Sequence, residues 1–147
     1  MTTREFTKPT PEELHAGGAG NYQALMLTTL EFLKQHQISI LDYAHFIGKR
    51  LSESWAANLT AYQLAQTMAF NFMSVGAKLE ELQGDENESR IVITGWPNAE
   101  HLAAFSGSVE DVDLFTQLVS KIAEDQNCSF EMKRQGERLG IYFRRKQ

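Results

Sequence analysis

The sequence is poor in cysteine and proline and has no long apolar run. Cys128 is the only cysteine among 147 residues, so no internal disulfide can form. Because small exported domains usually carry paired cysteines, a disulfide-stabilised scaffold is excluded and a reducing, cytoplasmic setting is predicted. No stretch approaches the roughly 18 apolar residues of a membrane-spanning helix, and the first residues lack an apolar signal-peptide core. We therefore expect a cytoplasmic protein without a membrane span.

The sequence also lacks a complete catalytic or metal-binding motif. The glycine cluster at 17–20 has neither a preceding strand nor a lysine, so it does not predict a phosphate-binding loop. Zinc sites usually show paired ligands at short spacing, and no such pair occurs here. The remaining candidates for a small enzyme or a metal-binding protein are His45, His101 and Cys128. We keep that function as the alternative and predict no catalytic or metal-ligating residue beyond these three, with any cofactor unknown.

The composition is that of an ordinary globular domain, with 42% hydrophobic and 22% charged residues. A chain of this length buries roughly 68–70% of its unfolded surface, which is enough for a core without a structural metal. Residues 1–20 contain two prolines, the glycine cluster and few apolar side chains. We therefore expect residues 1–20 to form a flexible arm and residues 21–147 to form a single α+β domain.

Charge is unevenly distributed along a chain whose net charge is -5. From Glu131 onward, six basic residues stand against only two acidic residues. A basic end of this kind could contact nucleic acid or an acidic protein surface. Lysine and arginine also protect the edges of sheets from aggregation. In addition, the chain as a whole is acidic, which does not favour binding to nucleic acid. We therefore expect a solvated edge hairpin, and nucleic acid is an improbable partner.

Apolar spacing predicts three amphipathic helices at the start of the domain, covering 22–36, 39–55 and 60–82. Ser39 is a plausible N-cap for the second helix, and either Asn58 or Thr60 for the third. Gly48 lies on the apolar face of the second helix. Since glycine costs about 1 kcal/mol relative to alanine inside a helix, we expect another helix to approach closely there.

The second half of the chain predicts a strand, a helix and two further strands. Residues 90–96 are rich in β-branched side chains, and Ser108 opens a helix after a loop that contains a short helical turn. Two alternating strands follow, joined by a turn at 135–137. The predicted fold is α+β, with amphipathic helices on one face of a small antiparallel sheet in the order helix-helix-helix-strand-helix-strand-strand.

Large, soft side chains are concentrated in the helices and in the loop after the first strand. Apolar cores and apolar pockets share this composition, so most of these residues belong to the core on either interpretation. A pocket for a small hydrophobic ligand is the sharper hypothesis. Its candidate lining residues are Phe46, Trp55, Met68, Phe72, Trp96 and Phe105. The wide apolar surface of the third helix also predicts a homodimer formed through the helices of 39–82.

One short motif resembles a known family. The segment 45–51, His-Phe-Ile-Gly-Lys-Arg-Leu, resembles a glycine-containing helix followed by Lys-Arg-Leu in small bacterial proteins related to the 4-vinyl reductase (V4R) domain. The helix from Thr60, the strand ending Thr-Gly-Trp at 94–96, the acidic-capped helix after it and the hairpin with Cys128 are similar to that domain's plan. Bet3-type subunits of vesicle-tethering complexes share this plan. The resemblance covers residues 38–146.

The resemblance implies a ligand-binding or dimer-forming module. V4R domains are thought to bind small hydrophobic molecules, and the tethering relatives hold an acyl chain between helices. V4R domains with metal-binding potential carry clustered cysteines near the C-terminal hairpin, whereas Cys128 stands alone. The function predicted from the sequence is therefore a non-catalytic ligand-binding, sensor or interaction module.

Overall fold

The computed structural model describes residues 5–147 and has two layers, a four-stranded antiparallel sheet and helices packed on one of its faces. The elements in chain order are α1 (Pro11–Gln35), α2 (Ile40–Ser52), α3 (Ala61–Ser74), β1 (Lys78–Gly84), β2 (Glu88–Thr94), α4 (Ala99–Ala104), α5 (Val109–Thr116), α6 (Leu118–Asp125), β3 (Cys128–Gln135) and β4 (Arg138–Arg145). The strands lie in the order β1-β2-β4-β3. This architecture confirms the predicted α+β class.

The core lies between the sheet and the helices that cover it. Ile91 of β2 pairs with Ile141 of β4, and both are fully buried. The alternating partners on the same strands, such as Arg90 and Tyr142, point to the opposite face because side chains alternate along a strand. Helix α3 packs on β1, β2 and β4, and α6 packs on β3. One sheet face is therefore core, and the other is open.

The third predicted helix is too long. It ends at Ser74, and residues 78–84, which we expected to continue it, form β1. A register shift between Leu79 and Glu81 inserts an extra residue, so that Leu79 and Leu82 pair with Ile93 and Ile91 on the core face. A three-residue spacing is typical of a helix, and the bulge produces the same spacing in a strand.

The predicted helix starts at Ser39, Thr60 and Ser108 are confirmed by N-cap hydrogen bonds. The Ser39 hydroxyl accepts a hydrogen bond from the Asp42 amide at 3.2 Å. Thr60, rather than Asn58, caps α3 and forms a reciprocal capping box with Gln63. The helix expected from Ser108 is divided at Gln117 into α5 and α6.

Helix α1 begins at Pro11, earlier than the sequence analysis expected. The Thr10 hydroxyl accepts from the Glu13 amide at 3.1 Å, and proline occupies the first turn, where its missing N–H is no cost. Part of the expected flexible arm is therefore helical, while residues 1–4 lie outside the described part of the chain. Within residues 5–147, no helix is both long enough and apolar enough to cross a membrane.

Candidate functional site

An apolar pocket of about 300 Å³ lies among the helices, beside the end of β2. Helices α2, α3, α5 and α6 form its walls, and Tyr22 of α1 contributes to its edge. The lining residues are Tyr22, Leu51, Ser54, Trp55, Met68, Asn71, Phe72, Ser74, Val75, Trp96, Phe115, Thr116, Leu118, Val119 and Ile122. Most of these side chains are aliphatic or aromatic, so the pocket suits an apolar molecule.

Trp96 is the central aromatic residue of the wall. It follows β2 and is 4% exposed. The Phe72 ring meets the Trp96 ring edge to face at a centroid distance of 5.7 Å, and the Tyr22 ring lies 6.2 Å away. Arg134 Nη2 donates to the Trp96 carbonyl oxygen at 2.9 Å. The indole is therefore held by both its ring contacts and its backbone.

The polar atoms deep in the wall are already paired within the protein. Trp96 Nε1 donates to Thr116 Oγ1 at 2.9 Å, and Thr116 Oγ1 donates to the Val112 carbonyl oxygen at 2.7 Å. Because these bonds use the indole N–H and the hydroxyl proton, the interior presents mainly carbon to any occupant. A polar group on a ligand would find no free donor there.

The rim of the pocket is polar. The hydroxyls of Ser54 and Ser74 donate to backbone carbonyls of their own helical turns at 2.7 and 2.6 Å. The side-chain amide of Asn71 forms no hydrogen bond with any other residue of 5–147, and it is exposed. Burial raises the pKa of the Tyr22 phenol, and Tyr43 adds to the shift, so this edge of the pocket stays neutral. Asn71 is therefore a free polar side chain of α3 at the rim of the pocket.

The structure brings together four of the six pocket residues proposed from sequence. Trp55, Met68, Phe72 and Trp96 all line the pocket. Phe46 lies on α2 outside the pocket and is 63% exposed. Phe105 lies in a separate cavity of about 220 Å³ between α1 and the start of α5. Phe46 therefore lies on a side of α2 that does not face the pocket, and Phe105 follows α4 in a different part of the fold, which composition does not specify.

Sequence reasoning missed several lining residues. Apolar spacing places Tyr22 in a helix, but it does not indicate a pocket, and a polar residue on a helix, such as Asn71, is usually solvated. Val119 and Ile122 lie at helical spacing, and the pocket lies against the face that they form. An inward helical stripe predicts burial, but it does not distinguish core from cavity wall.

The residues of the alternative enzyme or metal-binding function lie outside the pocket. His45 is half-buried on α2, and His101 Nδ1 lies 3.1 Å from Asn98 Oδ1. Cys128 is 2% exposed, and burial raises the pKa of its thiol although Arg145 and Lys146 oppose the shift. No three side chains of the metal-ligating types cluster anywhere in the described part of the chain. The geometry gives this function no shared site.

The basic residues of the C-terminal hairpin are largely paired with carboxylates. Arg134 binds Asp113 through two nitrogens at 2.8 to 3.0 Å. The other pairs are Lys133 with Glu131, Arg138 with Glu80 and Arg144 with Glu88. Much of the local positive charge is therefore balanced within the chain. The expected edge hairpin is wrong for β4, which pairs with both β2 and β3, so that of the two hairpin strands only β3 lies at an edge of the sheet.

The open face of the sheet carries a wider, polar groove of about 480 Å³. The Tyr142 ring lies there between the cationic groups of Arg90 and Lys133, at 5.9 and 5.6 Å from its centroid. Arg90 is also paired with Glu81. Lys133 is paired with Glu131, and Arg90 Nε has no hydrogen-bond partner among residues 5–147. Because the groove is open and about half polar, the apolar pocket is the better candidate site for a small apolar molecule.

Comparison with known proteins gives little further information. No protein-family model matches the chain, and no curated protein matches it. Among solved structures, the chain is similar to a crystal structure of a mutant H-NOX protein from K. algicida in the unliganded Fe(II) state. The two chains share 14% identity over 83% of this chain and 72% of that chain, with a TM-score of 0.40. A likeness at this level carries no argument about the function of the present chain.

Proposed function

We propose that the protein is a non-catalytic binding module that holds a small, mostly apolar molecule in the pocket beside Trp96. The observation that carries the proposal is a continuous apolar wall whose deep polar atoms are already paired. A catalytic site would need a free acid, base or nucleophile directed into the cavity. The lining contains no histidine, cysteine or carboxylate.

The geometry of the pocket also limits the class of ligand. A volume of about 300 Å³ lies at the small end of the range for small-molecule sites. Aromatic side chains at Tyr22, Phe72 and Trp96 favour a flat or ring-containing apolar body. The Asn71 amide at the rim can donate to and accept from one polar group. The ligand we propose is therefore an apolar body with a single uncharged or weakly charged polar end.

Native mass spectrometry of the protein as purified is the direct test. A retained ligand would appear as added mass that survives gentle ionisation and disappears after denaturation. That mass would also identify the compound. A bare protein would leave the proposal dependent on binding of an added probe.

A matched pair of tryptophan variants tests whether the pocket is the binding site. The probe is N-phenyl-1-naphthylamine, an uncharged aromatic molecule with one polar N–H group, whose fluorescence rises in apolar surroundings. Asn71→Trp places a bulky ring at the rim and should weaken probe binding at least tenfold. Gln66→Trp, on an exposed part of the same helix outside the pocket, should leave the affinity unchanged. Equal affinities in both variants would place the probe elsewhere and contradict the proposal.

The proposal also includes the family and the cellular setting that the sequence predicts. Membership of the V4R and Bet3-like family would account for an apolar ligand, since that family is expected to bind one. The single cysteine supports a reducing, cytoplasmic setting. Self-association through the helices of residues 39–82 stays a prediction, and α1, outside that range, offers a different surface for it.

A further inference from the structure

Helix α1 has an outer face that is unusually free of charge. No aspartate, glutamate, lysine or arginine occurs between Leu14 and Leu30. Nevertheless Leu14, Leu25 and Phe32 are 58%, 67% and 55% exposed. A solvated helix face normally carries charged side chains, whereas the centre of a protein interface is depleted of them.

A row of residues along α1 follows a coiled-coil spacing, in which Tyr22, Leu25 and Phe32 are exposed and apolar and Thr29 is half-buried. Gly18, Tyr22, Leu25, Thr29 and Phe32 succeed one another at intervals of four, three, four and three residues. We call these five residues the α1 seam. The residues that α1 buries in its own chain are a different set, namely Ala19, Gln23, Met26, Leu27, Leu30 and Leu33. The helix therefore carries a second row of residues beside the buried one. Tyr22 in that row also contacts Trp96 in the pocket wall, whereas Leu25 and Phe32 are mostly exposed.

Gly18 leaves a gap in the α1 seam, and the size of that gap bears on which side chain could pack against it. A Cβ atom at Gly18 would meet nothing within 4 Å among residues 5–147, so packing within the chain does not require glycine there. Glycine inside a helix costs about 1 kcal/mol relative to alanine. Gly18 lies seven residues before Leu25, and the large Phe32 lies seven residues after it. A second α1 running in the opposite direction and crossing at Leu25 would place each Phe32 over the gap at the other Gly18.

We propose that two copies of this chain form a symmetric dimer through the α1 seam, with the two helices antiparallel and the axis at Leu25. Such an interface is self-complementary, as two-fold symmetry requires. It also places the first turn of each helix beside the last turn of the other, so that the two helix dipoles run in opposite directions; Lys34 in that last turn is paired with Asp111 of its own chain. A parallel arrangement would instead place the acidic first turns together and align the helix dipoles unfavourably.

The α1 seam by itself is about half the size of a standard protein interface, so a dimer formed through it is weak. A 25-residue helix is about 38 Å long, so a strip about 10 Å wide covers on the order of 400 Å². Met73 enlarges the strip at one end, because its carbonyl oxygen lies 3.1 Å from His15 Nε2 and its side chain is 42% exposed. Stable interfaces cover about 800 Å² per partner. We therefore expect a dimer that dissociates in the micromolar range.

Sedimentation analysis of charge-inserting variants tests the location of the interface. The full chain should be a dimer at high micromolar concentration, and Leu25→Glu should be a monomer. Phe46→Glu is the matched control, because Phe46 is a similarly exposed apolar residue on α2 and should leave the dimer intact. Circular dichroism checks that both variants are folded. A monomeric full chain, or dissociation by Phe46→Glu alone, would overturn the proposal.

Cysteine crosslinking tests the direction of the two helices. Leu25→Cys lies on the proposed axis and should form a disulfide-linked dimer under mild oxidation, while the buried Cys128 does not interfere. Leu14→Cys should not crosslink to itself, because the two positions would be about 33 Å apart along antiparallel helices. Crosslinking at both positions would show parallel helices and overturn the antiparallel arrangement. Failure of either test leaves binding of the fluorescent probe as a separate question.

Discussion

Gly48 shows how the absence of a side chain can position two helices. A Cβ atom at this position would overlap the backbone carbonyl of Leu118, at the start of α6. The glycine lets α2 and α6 approach closely, and this contact forms one wall of the pocket. The sequence indicated a close helix approach at Gly48, but it did not indicate the partner. Leu118 is about seventy positions away in the chain.

Substitution of Gly48 should be destabilising although alanine is the better helix former. Gly48→Ala forces backbone to move and should lower the free energy of unfolding by about 2 kcal/mol. Gly17→Ala is the control, because nothing in residues 5–147 lies within 4 Å of its Cβ position. That variant should gain about 0.5–1 kcal/mol from helix propensity. Urea unfolding measures both, and equal stabilities would contradict the close approach.

The Cys128 thiol should be unreactive in the folded protein. Burial raises its pKa, so the reactive thiolate forms at higher pH than in the unfolded chain. We expect a disulfide reagent at pH 8 to modify the native protein at least about 100-fold more slowly than the urea-unfolded protein. Similar rates in the two states would show an accessible thiol.

The raised pKa of Cys128 also makes the free energy of unfolding depend on pH. The unfolded thiol loses its proton first, at a pKa of about 8.5, so the unfolded state binds fewer protons above that pH. This group therefore disfavours the folded state progressively as the pH rises from there to the raised pKa. A Cys128→Ala variant should lose that part of the alkaline decrease in stability, as urea unfolding between pH 8 and 10 would show.

At the scale of elements, the predictions for β1 and for the start of α1 were wrong because the local sequence pattern is compatible with two structures. The bulge in β1 placed Leu79 and Leu82 on the same face at a helical interval. Proline and glycine near the start of α1 suggested a flexible arm, yet Thr10 caps a helix there. In both places a local pattern was compatible with two structures, and the sheet pairing or the cap decided between them.

Arg134 links three elements and so helps to fix the pocket wall. It extends from β3 to the Asp113 carboxylate on α5 and to the Trp96 carbonyl after β2. The side chains of Arg134 and Asp113 are only 16% and 25% exposed. A bidentate pair in this setting is stronger than a solvated one.

Removal of the Asp113 charge should therefore be costly. We expect Asp113→Asn to lower the free energy of unfolding by about 2 kcal/mol, because the Arg134 charge loses its partner while partly buried. Glu131→Gln is the control, since the pair with Lys133 is exposed and should contribute less than about 0.5 kcal/mol. Thermal or urea unfolding distinguishes them. Comparable small losses would show that the buried pair contributes no more than a surface pair.

At the scale of the whole molecule, the proposed pocket and the proposed dimer meet at Tyr22. This residue lines the pocket and also belongs to the α1 seam. A partner helix packed on Tyr22 would shield that edge of the pocket from water. Binding and dimerisation should therefore be coupled, and the coupling must be reciprocal.

The coupling can be measured with the variants already described. The monomeric Leu25→Glu protein should bind the fluorescent probe about fivefold more weakly than the full chain. Saturating probe should in turn tighten the full-chain dimer by the same factor in sedimentation experiments. Phe46→Glu should show neither effect. An unchanged probe affinity in Leu25→Glu would mean that Tyr22 serves the two surfaces independently.

The sequence by itself determined the α+β class, the caps at Ser39 and Thr60 and the glycine contact at Gly48. These features depend on local hydrogen bonds and on apolar periodicity, which neighbouring residues specify. It also named Trp55, Met68, Phe72 and Trp96, because large apolar side chains must go inside. Only the tertiary structure decided which of the named aromatics share a cavity, why β1 is a strand and which face of α1 stays uncovered. Those outcomes depend on contacts between residues far apart in the chain, and the local patterns of a single sequence do not specify such contacts.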